Sequence, residues 1–426
     1  AALDELIGQA ESDRAADPRR LAVAGHEHFF LAYQGEDDRP LQENYSRLLG
    51  LLLKGLLPTG PSPGAGQPRL RVAFVSSFFR DCTVGNYFGS WITGLDPERF
   101  DRRIYSLTDR EDAMTEALRS GVDDFLRLPT TLPAAATAIL DDAPDVLVYP
   151  ELGMNGPTYA LASQRLARWQ CAAWGHPVTS GHANVDYYLS CAAMEPPGAD
   201  AHYTERLQLL PGLGTRYTMP AVGDDLSRAD FELPSDRNLY LCPQSLFKIH
   251  PEDDALFAEV LAADPRGLLL VFQGENDWQT RTYLNRLQGA LASRGLAAGR
   301  VQVMPLMPRP AYLQLNRLAD VMLDTGRWSG GNTSLDALAA GLPIVTRWGR
   351  FMRGRQSAAM LTLIGVDELV VADAPAYIHL ASAIGSDRAI RAKYSDRIVQ
   401  RRQRLFDDVR PIEALSEFLL ALPRQG

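Results

Sequence analysis

Long apolar runs are missing from this 426-residue chain: none approaches the ~18 residues that a membrane-spanning helix needs, so no membrane partner is expected. Excess positive charge is missing too. The formal net charge of −9 argues against a general nucleic-acid partner, and any site for a polyanion must be local. Cysteine is scarce: Cys82, Cys171, Cys191 and Cys242 lie far apart without metal-type spacing, which predicts reduced, mostly buried thiols in a cytoplasmic protein. No signal peptide is read at the start. The first residue is not Met, and a longer protein with an upstream part is the expectation. The phosphate-binding fingerprints of dehydrogenases and P-loop enzymes are also lacking. Arg71-Val-Ala-Phe-Val-Ser-Ser77 leads into Phe78-Phe-Arg-Asp-Cys-Thr-Val-Gly85 rather than G-x-G-x-x-G, and no G-K-[ST] occurs.

What is present is ordinary in bulk, with 46% hydrophobic and 22% charged residues, and is too long for a single core. Two main domains plus an accessory segment follow. Residues 1–57 carry apolar positions at helical spacing and no strand signal, a helical preface that would suit the end of a repeat array although no 34-residue repeat occurs. Residues 58–68, rich in Pro and Gly, read as a linker. Strand-like runs then alternate with helical stretches: Val72–Ser76, Arg103–Ser106, Val146–Tyr149 and Val185–Leu189, with a further strand-like run at 170–174. The polar stretch Gly223–Arg237 interrupts the alternation and marks a boundary, giving lobes over 69–232 and 233–405 and a C-terminal helix over 406–426. Leu239–Cys242, Leu268–Phe272, Val301–Met304, Val321–Asp324, Pro343–Thr346 and Glu368–Val371 are the strands predicted for the second lobe. Alternation of this kind means parallel sheets covered on both faces, an α/β protein of two doubly wound, Rossmann-like domains with a cleft between them as the natural active site.

The sharpest local signal is Asp324-Thr-Gly-Arg-Trp-Ser-Gly-Gly-Asn-Thr-Ser-Leu-Asp336. A buried strand over 319–323 feeds a turn at Gly326, Gly330 and Gly331, and a helix begins near Thr333. Free backbone N–H groups and the positive end of the helix dipole then converge on one spot, where an anion belongs. The alternative is that Thr333 caps the helix and Asp336 completes a capping box.

With dehydrogenases and P-loop enzymes excluded, the large class that remains is the GT-B glycosyltransferases, and seven blocks carry a more specific resemblance. Trp174-Gly-His-Pro-Val-Thr-Ser-Gly181, Asp186-Tyr-Tyr-Leu-Ser190, Leu210-Pro-Gly-Leu-Gly214, Cys242-Pro-Gln-Ser-Leu-Phe-Lys-Ile-His-Pro251, Leu318-Ala-Asp-Val-Met-Leu-Asp-Thr325, Gly330-Gly-Asn-Thr-Ser-Leu-Asp336 and Ala340-Gly-Leu-Pro-Ile-Val-Thr346 resemble, in order and spacing, the catalytic region of the O-GlcNAc transferase and SPINDLY family. Gly331-Asn-Thr333 and Tyr149-Pro-Glu-Leu-Gly-Met154, with His176-Pro177, lean toward its bacterial protein glucosyltransferase branch. The resemblance implies inverting transfer of N-acetylglucosamine or glucose from a UDP-sugar to a protein or peptide side chain, without cofactor or metal. The D-x-D pair with which the other glycosyltransferase class holds a divalent ion is absent.

The same resemblance implies roles for single residues. Lys248 meets the leaving diphosphate, with Gln244 or Ser245 beside it in place of the family's Gln three positions before the lysine. Gly330, Gly331, Asn332 and Thr333 hold the diphosphate, and Asp336 accepts from the ribose. The segment Met304–Pro308, Met307 included, meets the base. Tyr312 stacks where eukaryotic members often have His, and Arg309 adds a second cation. His176 and Glu151, each just past a predicted strand, are candidates for donor positioning or proton relay. Cys82 stands where many members carry a histidine, and His182, His250 and His379 read as structural or exposed.

Overall fold

The computed structural model describes residues 2–12, 17–25, 28–60 and 68–422. Two compact units result, one of residues 1–32, 36–217 and 408–426 and the other of 33–35 and 218–407.

The first unit is built on seven parallel strands: β1 (Leu70–Ser76), β2 (Phe100–Ser106), β3 (Asp124–Arg127), β4 (Val146–Tyr149), β5 (Trp169–Ala173), β6 (Tyr187–Cys191) and β7 (Arg206–Leu210). Their order is β3-β2-β1-β4-β5-β6-β7. β4 is buried along its whole length and β1 at all positions but Arg71, as expected of strands covered on both faces. The two strands that the sequence did not reveal, β3 and β7, are the outermost ones. Both are only partly buried, with Asp124, Arg127 and Arg206 exposed, which blurs the apolar run. β6 begins two residues after the predicted start because Val185 is used in a turn, its N–H donating to His182 O at 3.2 Å.

The described part of the preface contains no strand and is mainly helical, with helices Ala2–Ser12 and Arg39–Leu53 and 3-10 turns Pro18–Gly25 and Phe29–Gln34. Helix Arg39–Leu53 rests on the main chain of the first unit at Gly181. A Cβ there would fall 2.3 Å from the Gln42 carbonyl, and φ is +73°, so only glycine fits. Of the predicted linker, 61–67 lie outside the described residues. Helix Arg410–Ala421 counts with the first unit, where Ile412 packs against Gly94.

The second unit holds six parallel strands: β8 (Asn238–Cys242), β9 (Gly267–Phe272), β10 (Val301–Met304), β11 (Val321–Leu323), β12 (Ile344–Arg347) and β13 (Val370–Val371), ordered β10-β9-β8-β11-β12-β13. The division falls at Thr218, ahead of the Gly223–Arg237 stretch, which lies wholly in the second unit. In each sheet the strand order reverses once, between β1 and β4 and between β8 and β11. The crevice at the carboxyl ends of those strands is where a doubly wound sheet binds ligand. All four cysteines are free thiols, three of them buried. No described helix is long and apolar enough to cross a membrane.

Candidate functional site

At the β8/β11 reversal, the turn after β11 is organised by a residue to which the sequence reading gave no role, Asp324. Its buried carboxylate accepts from the Gly330 N–H at 2.7 Å, the Ser329 hydroxyl at 2.9 Å and the Thr346 hydroxyl at 2.7 Å. Burial pushes this carboxyl up from its ordinary value, and the surrounding donors oppose the shift. The Ser357 N–H donates to Ser329 Oγ at 2.9 Å, and the Ser334 and Ser357 hydroxyls lie 2.7 Å apart, which ties the turn to the next helix. The Trp328 carbonyl closes the other side, accepting from Thr325 Oγ1 at 2.6 Å and from Gln244 Nε2, just past β8, at 3.0 Å.

Helix Asn332–Ala339 starts from this turn with Gly331 as its N-cap and no side-chain cap. The alternative of a Thr333–Asp336 capping box is therefore not realised. Thr333 Oγ1 is instead enclosed without a hydrogen-bond partner among the described residues, an arrangement that costs about 1–3 kcal/mol unless a ligand satisfies it. A Cβ on Gly330 would approach Ser334 Oγ to 2.3 Å and Thr333 Oγ1 to 2.8 Å, so glycine keeps this corner open. Asp336, one turn on, is buried. Its Oδ1 accepts from Arg309 Nη2 at 2.9 Å and its Oδ2 from Asn332 Nδ2 at 3.3 Å. Burial raises the Asp336 carboxyl while Arg309 opposes the rise. Arg309 opens helix Arg309–Leu318, where the helix dipole disfavours a cation. Its charge is matched by Asp336, so the expected second cation for a ligand is already engaged.

Beside the turn lies a cavity of about 340 Å³ lined by Gln244, Ser245, Phe247, Phe272, Met307 and Tyr312 among others. Tyr312 presents its ring there, 5.7 Å from Phe272 and tilted 62°, and its phenol is pushed far up by burial. Apolar walls with amide and hydroxyl groups at one end suit a flat heterocycle. Lys248 ends the 3-10 turn Leu246–Lys248 next to the cavity. Its Nζ sits 5.8, 5.9 and 5.5 Å from the ring centroids of Tyr33, Phe247 and Trp328. It has no ion pair or hydrogen bond among the described residues, and burial alone pushes it down to about 8. A half-wrapped ammonium without a counter-charge is a ready partner for an anion.

At the β1/β4 reversal of the first unit the chemistry is acidic. Glu151 follows β4 and is buried; its Oε1 accepts from Ser76 Oγ, at the end of β1, at 2.8 Å, and its Oε2 has no partner among the described residues. Burial pushes this carboxyl up to about 8. His176 follows β5, is buried, and holds its ring 5.3 Å from that of Phe29, with Gly153 (φ +103°) leaving room where a Cβ would come within 2.9 Å of the imidazole. The Tyr188 hydroxyl fixes the His176 carbonyl at 2.9 Å. Cys82 precedes helix Thr83–Thr93, its Sγ donating to Phe78 O at 3.3 Å and its thiol raised by burial. His182 is buried against the Tyr159 ring at 4.2 Å and lowered to about 3, and His250 caps helix Pro251–Ala263, both structural uses.

Of the residues singled out from the sequence, Gln244, Ser245, Met307 and Tyr312 share the cavity, while Gly330, Gly331, Asn332, Thr333 and Asp336 share the turn and helix start. Lys248 joins the two through Trp328. Glu151 and His176 belong to the other unit. Sequence reasoning missed Tyr33, Phe247 and Trp328 around the lysine, Asp324 under the turn, and Ser76. Asp324 had a signal, since a carboxylate at a strand end before Gly-rich chain is a natural anchor for loop N–H groups. Tyr33 had none, coming from the preface.

Comparison with known proteins agrees with this geometry. The model of glycosyl transferase family 41 matches residues 218–410. The chain is 25% identical over 292 residues to a probable UDP-N-acetylglucosamine–peptide N-acetylglucosaminyltransferase SEC of Arabidopsis thaliana, covering 66% of this chain and 29% of that protein. It is 24% identical over 338 residues to the SPINDLY protein of Petunia hybrida, covering 75% and 35%. The chain thus spans about a third of the length of these curated relatives. A Thermobaculum terrenum O-GlcNAc transferase mutant superposes with a TM-score of 0.74 at 26% identity, over 98% of this chain and 81% of that one. An Anabaena protein solved with UDP and glucose shares the fold, with a TM-score of 0.56 at 12% identity over 83% of this chain and all of the other. Two reversed parallel sheets, the family match across the second and the likeness along nearly the whole chain make this protein a relative of the O-GlcNAc transferase and SPINDLY family, built on the GT-B fold.

Proposed function

We propose that the protein is a glycosyltransferase that moves N-acetylglucosamine or glucose from a UDP-sugar to a protein side chain, by a single inverting displacement and without a metal ion. The observation that carries this reading is the Lys248 ammonium, without an ion pair among the described residues, beside a pinned helix start and a partly apolar cavity at the β8/β11 reversal. The uracil would enter the cavity against Tyr312 and Met307, with Gln244 and Ser245 at its polar end. Thr333 Oγ1 and the N–H groups of the turn would take the diphosphate, and Asp336 would accept from the ribose with the oxygen lone pairs that Arg309 and Asn332 leave over. As the glycosidic bond to phosphate breaks, negative charge grows on the diphosphate. Lys248 and the helix start face that charge and stabilise the transition state more than the ground state. Glu151, pushed up to about 8 by burial, and His176 are groups of the first unit suited to holding the acceptor's proton.

Incubation with UDP-N-acetylglucosamine, UDP-glucose and GDP-fucose in the presence of a mixed peptide library, read by mass spectrometry, tests the proposal. Peptides carrying one added sugar from a UDP donor are expected, at a rate unchanged by EDTA. Transfer only to small molecules or polysaccharide would instead assign a different GT-B activity, and no transfer from any donor would leave a nucleotide-sugar-binding protein.

A further inference from the structure

The environment of Lys248 goes beyond an anion contact. The 3-10 turn Phe29–Gln34 delivers a strap, Tyr33–Gly35, that counts with the second unit. Tyr33 is buried, its ring 5.1 Å from Phe247 and 4.3 Å from Trp328, so that three rings face one ammonium. The strap is fastened at its far end. Gly35 (φ +73°) lies against the aliphatic part of Arg327, which donates to the Gln34 carbonyl and pairs with Glu252 at 2.9 Å.

We infer that Tyr33, Phe247 and Trp328 form a positioning cage that keeps water and carboxylates from Lys248 and holds its ammonium open to an anionic ligand; the inference rests on the donor-site reading above. Among the described residues, these charged groups on the packed elements are engaged elsewhere. Arg327 of the turn is held by Glu252; Asp253 accepts from the His250 and Gly326 N–H groups; His250 accepts from the Glu252 N–H; and Asp254 binds Arg286. The strap contributes only the Tyr33 phenol. Two effects of the rings oppose each other at the lysine. Cation–π attraction, about 0.5–2 kcal/mol, favours the ammonium, whereas burial among the rings disfavours it and pushes it down to about 8. The cage therefore holds a lysine that is charged at neutral pH but poorly hydrated, so an arriving diphosphate meets it with little water to displace.

The chain has three lysines, Lys54, Lys248 and Lys393, which makes a direct titration practical. With lysine side chains labelled with carbon-13, one NMR signal, absent in Lys248→Arg, is expected to titrate near pH 8. Tyr33→Ala should move that signal upward by at least one pH unit, while Tyr33→Phe, which keeps the ring, should leave it in place. Phe247→Ala is a second opening of the cage should Tyr33→Ala fold poorly. An ordinary titration in the wild type, or a signal that neither alanine variant moves, would overturn the cage. The donor-site reading fails separately: saturating UDP should raise the Lys248 titration, and an unmoved signal would refute anion pairing while the response to Tyr33→Ala still stood.

Discussion

The two sheets of this protein reverse strand order in the same way, yet what gathers at the two reversals is opposite in charge. After β1 and β4 stands a buried carboxyl, Glu151, met by the Ser76 hydroxyl and neighbouring backbone N–H groups but paired with no cation among the described residues. After β8 and β11 stand a lysine with no carboxylate partner among the described residues and a helix start with no side-chain cap. One crevice favours holding a proton, the other favours holding an anion. Shared topology fixes where a ligand goes; the residues at the strand ends decide which.

The contrast is broken most severely at Lys248. Lys248→Ala should lower turnover on the order of a hundredfold, and at least tenfold, with little change in melting temperature, because the ammonium acts on charge that develops in the transition state. Near-normal turnover in the folded variant would remove the lysine from the chemistry. Next in size is Asp336→Asn. An amide leaves one acceptor where ribose hydroxyls need two, so UDP measured by calorimetry should bind roughly five- to thirtyfold more weakly, about 1–2 kcal/mol. Arg309→Met serves as the control: if breaking the ion pair from the other side weakens UDP equally, Asp336 supports the fold rather than the ribose.

The smallest effect concerns the acidic crevice. The Glu151 carboxyl is raised from 4.5 to about 8 by burial, so folding favours its protonated form. Its contribution to stability is intact below the unfolded value and is lost as pH climbs from 4.5 toward 8. Glu151→Gln, which cannot titrate and still offers Ser76 an acceptor, should therefore show a melting temperature that falls less than that of the wild type between about pH 5 and 8. Parallel curves for the two proteins would mean that Glu151 is not held protonated.

These crevices were largely legible in the sequence because parallel strands buried on both faces leave continuous apolar runs, and the residues just past those runs sit at the carboxyl edge. Val301–Met304 was read to the residue, and Lys248, Glu151 and Gly330 fell where the reversals put them. Edge strands β3 and β7 escaped, since partial burial admits exposed polar residues such as Asp124 and Arg206. So did the pairing of Asp336 with Arg309, because no local pattern joins a helix start to a side chain 27 positions earlier. Tyr33 was invisible for the same reason. A buried tyrosine in a helical preface looks like core, and only the fold brings it to the lysine.

The turn anchored on Asp324 has a consequence for how such a site can change. The groups that shape it, Asp324, Ser329, Thr346 and Ser357, all lie buried beneath the rim that Asn332 and Thr333 present. Variation at the rim retunes the grip on a ligand one contact at a time. Variation underneath releases several hydrogen bonds at once and dissolves the turn as a unit. If the turn holds a donor's phosphate as proposed, new donor preferences are open to gradual exploration through the cavity and the rim, whereas losing the phosphate site would require several coordinated replacements.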